Sequence, residues 1–141
     1  MSVNGYFFED LVVGQTATYG KTVTDADVVL FAGVSGDTNP VHLNEEAARE
    51  TMFKGRIAHG MLSAGFISTI FGTKLPGPGT IYLSQNLRFK APVRIGDTVI
   101  AKVEVIELIP EKKRANFKTT CSVGNTVVID GEATVMVPSR G

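Results

Sequence analysis

The chain has 141 residues, 43% of them apolar, and its 14 basic and 14 acidic side chains give zero formal net charge. This length suits one domain with a sizeable core, so we expect a single domain over residues 1–141. A neutral chain has no overall field that attracts nucleic acid or an anionic membrane, so neither is expected as a partner. The one cysteine, Cys121, excludes an internal disulfide.

The N-terminal region carries no pattern of a secretory signal, because no basic segment followed by an apolar run opens the chain. The longest apolar stretch, Gly60–Gly72, is interrupted by polar residues and is too short to span a bilayer. These features predict a cytoplasmic protein.

Three segments of the first half have helical patterns. Thr24 and Asp27 are spaced as a capping box, in which a hydroxyl and a carboxylate bind free N–H groups at a helix start. Gly36 is a natural end for that helix. A short second helix is expected after Asn44. The third segment, Gly60–Gly72, is apolar on nearly every side, which predicts a helix wrapped by other structure.

Four segments of the second half alternate with period two, which predicts four strands that each bury one face. The faces expected to be buried carry Ile81, Leu83, Leu87 and Phe89; Val99, Ala101, Val103 and Val105; Ala115, Phe117, Thr119, Cys121 and Val123; and Ile129, Ala133, Val135 and Val137. Turns at Pro110–Lys113 and at Gly124–Asn125 join the later strands. The second half is therefore predicted to be an antiparallel meander.

A sheet with one apolar face must bury that face, and Gly60–Gly72 is apolar enough to fill it. Weaker strands are expected around Tyr6–Phe8 and Gln15–Tyr19. The predicted fold is α+β, with an antiparallel sheet wrapped around a long central helix, which is the hot-dog architecture.

The run from Ser35 to His42 contains the first candidate site residues. Asp37 and His42 lie five positions apart, with Asn39 and Pro40 between them. Because a residue before proline avoids helical geometry, the run is expected to be a fixed loop. A carboxylate and an imidazole held on such a loop can grip one water by two hydrogen bonds. The same residue types are ordinary in turns, so spacing alone leaves a purely structural role open.

The second candidate is the start of the predicted apolar helix, at His59 and Gly60. The first N–H groups of a helix have no partner inside it and lie at the positive end of its dipole. A glycine there lets a ligand carbonyl come close, which makes a backbone oxyanion hole. Easing the entry into the helix is the structural alternative for Gly60, and Ser63 and Ser68 are expected to bond carbonyls one turn back.

Taken together, the run Ser35–His42 and the run Ile57–Met61 strongly resemble the motifs of MaoC-like (R)-specific enoyl-CoA hydratases. The resemblance extends from about Tyr6 to Val137. It implies a hot-dog homodimer that acts on an acyl-CoA thioester.

Individual roles follow from the resemblance by motif match. Asp37 and His42 are implied to be the catalytic pair, and the Gly60 N–H is implied to bind the thioester carbonyl. Asn39 is implied to brace the loop, and His59 and Ser68 to support the site. No metal and no organic cofactor are expected.

Two alternatives share this scaffold. A hot-dog acyl-CoA thioesterase would use a carboxylate to direct water at the carbonyl carbon. It is disfavoured, since the run from Asp37 to His42 is a hydratase-like pattern. A non-catalytic acyl-thioester-binding subunit is disfavoured because Asp37, His42 and Gly60 are all present. Release of free thiol marks the thioesterase, whereas loss of enoyl conjugation marks the hydratase.

Overall fold

The computed structural model describes residues 5–141. The helices of this part of the chain are α1 (Asp25–Ser35), α2 (Pro40–Leu43), α3 (Glu45–Arg49) and α4 (Gly60–Thr73). Its strands are β1 (Thr16–Thr22), β2 (Ile81–Gln85), β3 (Arg88–Phe89), β4 (Thr98–Ile109), β5 (Arg114–Val123) and β6 (Thr126–Met136). No helix of the described part is long and apolar enough to cross a bilayer.

The predicted starts of α1 and α3 and the predicted end of α1 are confirmed. The run from Ser35 to His42, expected to be a loop throughout, instead becomes helical at Pro40, because Asn39 caps a short helix that the proline begins. At the start of α1, the Asp27 amide donates to the Thr24 hydroxyl at 3.1 Å and the Thr24 amide donates to the Asp27 carboxylate at 3.0 Å. At its end, Gly36 has a φ of 79°, a left-handed conformation that glycine adopts without steric cost. The Asn44 side chain caps α3 by accepting from the Ala47 amide at 3.1 Å.

All strand pairs are antiparallel, and the sheet order is β1-β4-β5-β6-β2, with β3 beside β6. The meander β4-β5-β6 and the two-residue turn after Val123 are confirmed. The expected place of the strand that starts at Ile81 was wrong: β2 lies at the far edge beside β6 instead of next to β4. Alternation of apolar and polar residues gives a strand its two faces but does not specify its neighbour in the sheet, which is why the sequence misassigned it.

The predicted strand from Ile81 to Lys90 is broken in two at Asn86. There the Asn86 amide donates to the Glu132 carbonyl at 2.9 Å, and its side-chain oxygen accepts from the Glu132 amide at 3.2 Å. The Asn86 side-chain oxygen thus takes the place of a backbone carbonyl as the partner of Glu132. Regular backbone pairing with β6 resumes only at Arg88, opposite Asp130.

The predicted buried face of β2 was also wrong. Ile81 and Leu83 remain 49% and 41% exposed, while Tyr82 packs edge-on against Phe71 of α4 with ring centroids 5.1 Å apart. A register shift between Tyr82 and Ser84 interrupts the period-two alternation on this edge strand.

The N-terminal prediction was half correct. Gln15–Tyr19 lies at the start of β1, apart from its first residue. Tyr6–Phe8 forms no strand: the amides of Tyr6 and Phe8 donate at 2.7 Å each to the carbonyls of Pro76 and Pro138, two residues that lie outside the strands. A short 3-10 helix follows, Phe8–Asp10.

Helix α4 lies against the sheet and forms the centre of the core, as predicted. Its sheet-facing side is buried and carries Ser63, Ala64, Phe66, Ile67, Ile70 and Phe71. Phe71 packs edge-on against Phe117 of β5 at 4.9 Å between centroids. The opposite side of the helix, with Met61 and Ser68, is exposed in this chain. A single curved sheet covers one side of a helix.

Candidate functional site

A cavity of about 500 Å³ opens between the loop after α1, the start of α4 and the segment around β3. Six residues of its wall matter for chemistry: Asp37, His42, His59, Gly60, Ser63 and Phe89. The structure therefore brings together Asp37, His42, His59 and Gly60, which the sequence singled out from two separate motifs.

Local hydrogen bonds hold the loop that carries Asp37. The Asp37 amide donates to the Ser35 hydroxyl at 3.1 Å, and the Asp37 carboxylate accepts from the Asn39 amide at 3.2 Å. The Asn39 side chain in turn accepts from the Val41 amide at 3.2 Å, which caps α2. Asn39 thus lies where a loop brace would lie, and Asp37 keeps an exposed carboxylate oxygen at the cavity.

His42 is 8% exposed, and its ring is fixed by a backbone group. Its Nδ1 lies 2.8 Å from the carbonyl oxygen of Ile57, and a carbonyl can only accept. Nδ1 therefore carries the hydrogen, and in the neutral ring Nε2 is left as an acceptor. The His42 carbonyl is also held, because Arg56 Nε donates to it at 2.7 Å.

His59 is 2% exposed and braces the same loop from behind. Its Nε2 donates to the Asp37 carbonyl oxygen at 2.9 Å. Its ring stacks on the His42 ring, with centroids 3.9 Å apart and an angle of 26° between the planes. Nδ1 of His59 has no hydrogen-bond partner within residues 5–141. His59 thus contacts both proposed catalytic residues.

Gly60 is the first residue of α4, and His59 before it makes no side-chain cap. The Gly60 N–H has no acceptor inside the helix and lies at the positive end of the helix dipole. Gly60 is exposed at the cavity wall, so this N–H is placed where a ligand oxygen can reach it.

The two serines of α4 lie on different sides of the helix. Ser68 is exposed on the outer side of the helix and is not part of the cavity wall. Ser63 lines the cavity, and its hydroxyl finds no partner in the described part of the chain, so the expected bond one turn back is wrong for it. The supporting role of Ser68 stays a prediction.

Sequence reasoning missed Phe89 and the carbonyl of Ile57 as parts of the site. The alternating pattern placed Phe89 on a buried face, whereas it is a half-exposed residue of the cavity wall. Nothing in the local sequence signals that Ile57 fixes the His42 ring.

Cys121 offers no alternative nucleophile. Its thiol is buried and donates to the Ser63 carbonyl at 3.5 Å. Burial raises the pKa of Cys121 to about 12, so the thiol stays protonated at neutral pH.

Three side chains of the cavity wall also have the chemistry and the spacing of metal ligands. Asp37, His42 and His59 each offer one donor atom, and these atoms lie within 4.8 Å of one another. Two imidazoles and a carboxylate suit a divalent transition metal ion. A metal ion there would occupy the space in which Asp37 and His42 can hold a water.

The chain is similar to known proteins over most of its length. A family model described as "MaoC like domain" matches residues 12–129. An (R)-specific enoyl-CoA hydratase of Rhodospirillum rubrum is 63% identical over 136 residues, which cover 96% of this chain and 94% of that protein. A 3-hydroxybutyryl-CoA dehydratase of Methylorubrum extorquens is 58% identical, covering 95% of this chain and 85% of that protein.

Solved structures give the same result. An unliganded R-hydratase of Pseudomonas aeruginosa superposes with a TM-score of 0.91 at 47% identity, covering 98% of this chain and 89% of that one. The (R)-hydratase of Aeromonas caviae superposes with a TM-score of 0.89 at 44% identity, covering 92% of this chain and 99% of that one. The predicted hot-dog fold is thereby confirmed, and the chain belongs to the MaoC-like domain family.

Proposed function

We propose that this chain is an (R)-specific enoyl-CoA hydratase, a hydro-lyase that adds water reversibly to trans-2-enoyl-CoA and gives (R)-3-hydroxyacyl-CoA. The observation that carries the proposal is the pairing of two acceptors, Asp37 and His42, with the Gly60 N–H in the wall of one cavity. The names of the relatives from Rhodospirillum rubrum and Aeromonas caviae support it. Because acyl-CoA thioesters are metabolites of the cell interior, we place the enzyme in the cytoplasm.

The tautomer of His42 explains how water is activated. Its Nδ1–H is used by the Ile57 carbonyl, so Nε2 accepts a hydrogen bond from the water. The Asp37 carboxylate accepts the second hydrogen. A water that donates both hydrogens directs its lone pairs away from the protein, toward C3 of the enoyl group. As the C–O bond forms, Asp37 takes up a proton.

The Gly60 N–H stabilises the charge that this attack creates. Addition at C3 moves negative charge to the thioester oxygen, which becomes an enolate. A preorganised N–H at a helix N-terminus binds that oxygen most strongly in the transition state, an effect worth about 3 kcal/mol for one donor. C2 then takes the other hydrogen of the same water, either directly or relayed through His42 Nε2, and Asp37 returns its proton to the oxygen now bonded to C3. The product thus gains one hydroxyl and one C–H bond, and both side chains regain their starting protonation. No metal and no organic cofactor takes part in this scheme.

The direct test is hydration of crotonyl-CoA by the purified protein, with enoyl absorbance and free thiol followed in parallel. We expect loss of absorbance without thiol, and a product that only an (R)-specific dehydrogenase oxidises. Release of thiol would instead establish the thioesterase. A product oxidised by an (S)-specific dehydrogenase would contradict the assigned stereochemistry.

We further propose that the chain acts as a homodimer formed through β2. This strand has a neighbour on one side only, β6, and Ile81 and Leu83 leave it apolar and half exposed. The sequence from Ile81 to Gln85 carries no charge and no proline, the usual protections of a free edge. A second copy of the chain, related by a two-fold axis, would extend the sheet there.

Light scattering in line with gel filtration tests the dimer. Leu83→Lys is expected to shift the protein toward monomer, whereas Val12→Lys, at an exposed apolar residue outside the sheet, is expected to leave it dimeric. A wild-type monomer at micromolar concentration would contradict the proposal.

A further inference from the structure

The reason for a glycine at position 60 lies partly in a neighbouring aromatic ring. A Cβ built on Gly60 would lie 2.6 Å from Cδ1 and 2.6 Å from Cε1 of Phe89, closer than real Cβ contacts. Gly60 is not among the glycines with positive φ, so its backbone conformation does not itself demand glycine. The edge of the Phe89 ring therefore rests directly on the Gly60 Cα.

The sheet holds this ring in place. Phe89 pairs with Ile129 of β6, and the following amide, of Lys90, donates to the Val128 carbonyl at 2.8 Å. Backbone on both sides of Phe89 is thus tied to β6. The side chain nevertheless remains 54% exposed and forms part of the cavity wall, next to the buried Ile129. Its place is set by strand pairing and by contact with Gly60, not by burial in the core.

We propose that Phe89 is a positioning residue for the thioester, an inference that rests on the function proposed above. Its ring covers one side of the Gly60 Cα and keeps water from approaching the Gly60 N–H along that side. A donor shielded from water binds a developing oxyanion more strongly than a solvated one. The ring also leaves a narrower range of directions from which the thioester carbonyl can reach the N–H.

The first test compares Phe89→Ala and Phe89→Leu with the wild type on crotonyl-CoA. Loss of the ring is expected to lower kcat by about tenfold while KM changes by less than about threefold, since the shielding acts on the transition-state charge. Leu, which restores apolar bulk, is expected to recover most of kcat. Tyr6→Ala is the control, because Tyr6 is a similarly exposed aromatic residue outside the cavity wall. A Phe89→Ala enzyme with wild-type kcat would overturn the proposal.

The second test is a double-mutant cycle with Gly60→Ala, read both by thermal unfolding and by turnover. The new methyl group collides with the ring, so Gly60→Ala is expected to lower Tm much more in the wild type than in the Phe89→Ala background. The double variant is expected to turn over faster than Gly60→Ala alone. Additive effects in both readouts would overturn the proposed contact.

These two readouts keep the inference separate from the proposed function. Unfolding needs no substrate, so the coupling between Gly60 and Phe89 is measurable whatever the enzyme hydrates. Failure of the wild type on enoyl-CoA substrates would overturn the hydratase and, with it, the positioning role of Phe89. Coupling in Tm without any effect of Phe89→Ala on kcat would overturn that role alone.

Discussion

The two walls of the cavity are built by different forces. The wall that carries Asp37 and His42 consists of a polar loop and the short helix α2, and its shape comes from hydrogen bonds between near neighbours in sequence and from the Ile57 carbonyl. The wall that carries Gly60 includes the ring of Phe89, which contacts Gly60. Phe89 is held there because its strand, β3, pairs with β6, which lies about 40 residues later in the chain. The first wall fixes proton acceptors and the second fixes a hydrogen-bond donor. Substitutions in the two walls should therefore affect turnover and stability in different ways.

The largest expected effect is that of Asp37→Asn. Asparagine keeps the oxygen that accepts from the Asn39 amide, so the loop is retained, but it cannot take a proton from water. We expect turnover of crotonyl-CoA to fall by about 10²- to 10⁴-fold. The melting temperature is expected to stay within a few degrees of the wild type, because Asp37 is exposed. Near-normal turnover would show that Asp37 is not the base.

His42→Ala is expected to lose as much turnover and also some stability. The ring is buried, stacks on His59 and donates to the Ile57 carbonyl, which would be left without its partner. Such a loss costs about 1–3 kcal/mol. His42→Asn can restore the donor to Ile57 but offers no imidazole. Recovery of Tm without recovery of kcat would separate the two roles, and recovery of both would contradict the catalytic one.

A smaller loss is expected for His59→Ala, which removes the donor to the Asp37 carbonyl and the ring behind His42. We expect kcat to fall about tenfold, as for a modest misplacement of the reacting groups. His59→Gln, which can still donate to the carbonyl, should recover part of the activity. A kcat for His59→Ala equal to that of the wild type would show that the brace is dispensable.

The smallest expected effect is that of metal removal. Dialysis against a chelator should leave turnover unchanged, since no step of the proposed reaction uses a metal. Added Zn²⁺ should inhibit by displacing the water between Asp37 and His42, and His59→Gln should weaken that inhibition. Inactivation by the chelator, reversed by Zn²⁺, would instead identify a resident metal.

The residues of the polar wall were predictable from sequence, whereas the ring that packs on Gly60 was not. The backbone around Asp37 and Asn39 is arranged by bonds that span two or three residues, and the caps at Thr24 and Asn44 are equally local. Such short-range interactions can be recognised in a sequence motif. The bond from the His42 ring to the Ile57 carbonyl spans 15 residues and could not be. The helix start at Gly60 was found from the apolar run that follows it.

Features that depend on strand pairing escaped prediction. The position of β2 beside β6, the break at Asn86 and the register shift after Tyr82 follow from contacts with residues about 50 positions later. The location of Phe89 over Gly60 likewise depends on the pairing of β3 with β6. Alternation gives a strand its two faces, but it does not say which neighbour the strand takes or where the ladder is interrupted.

A single residue, His59, connects the two walls of the cavity. Its ring holds the Asp37 carbonyl from one side, and its own backbone leads directly into Gly60 on the other. The span between the water-holding groups and the oxyanion donor is thus fixed by one side chain and one peptide link. The two carbons between the thioester oxygen and C3 are common to all enoyl thioesters, so acyl chains of different length would differ only beyond C3 and would leave this spacing unaltered.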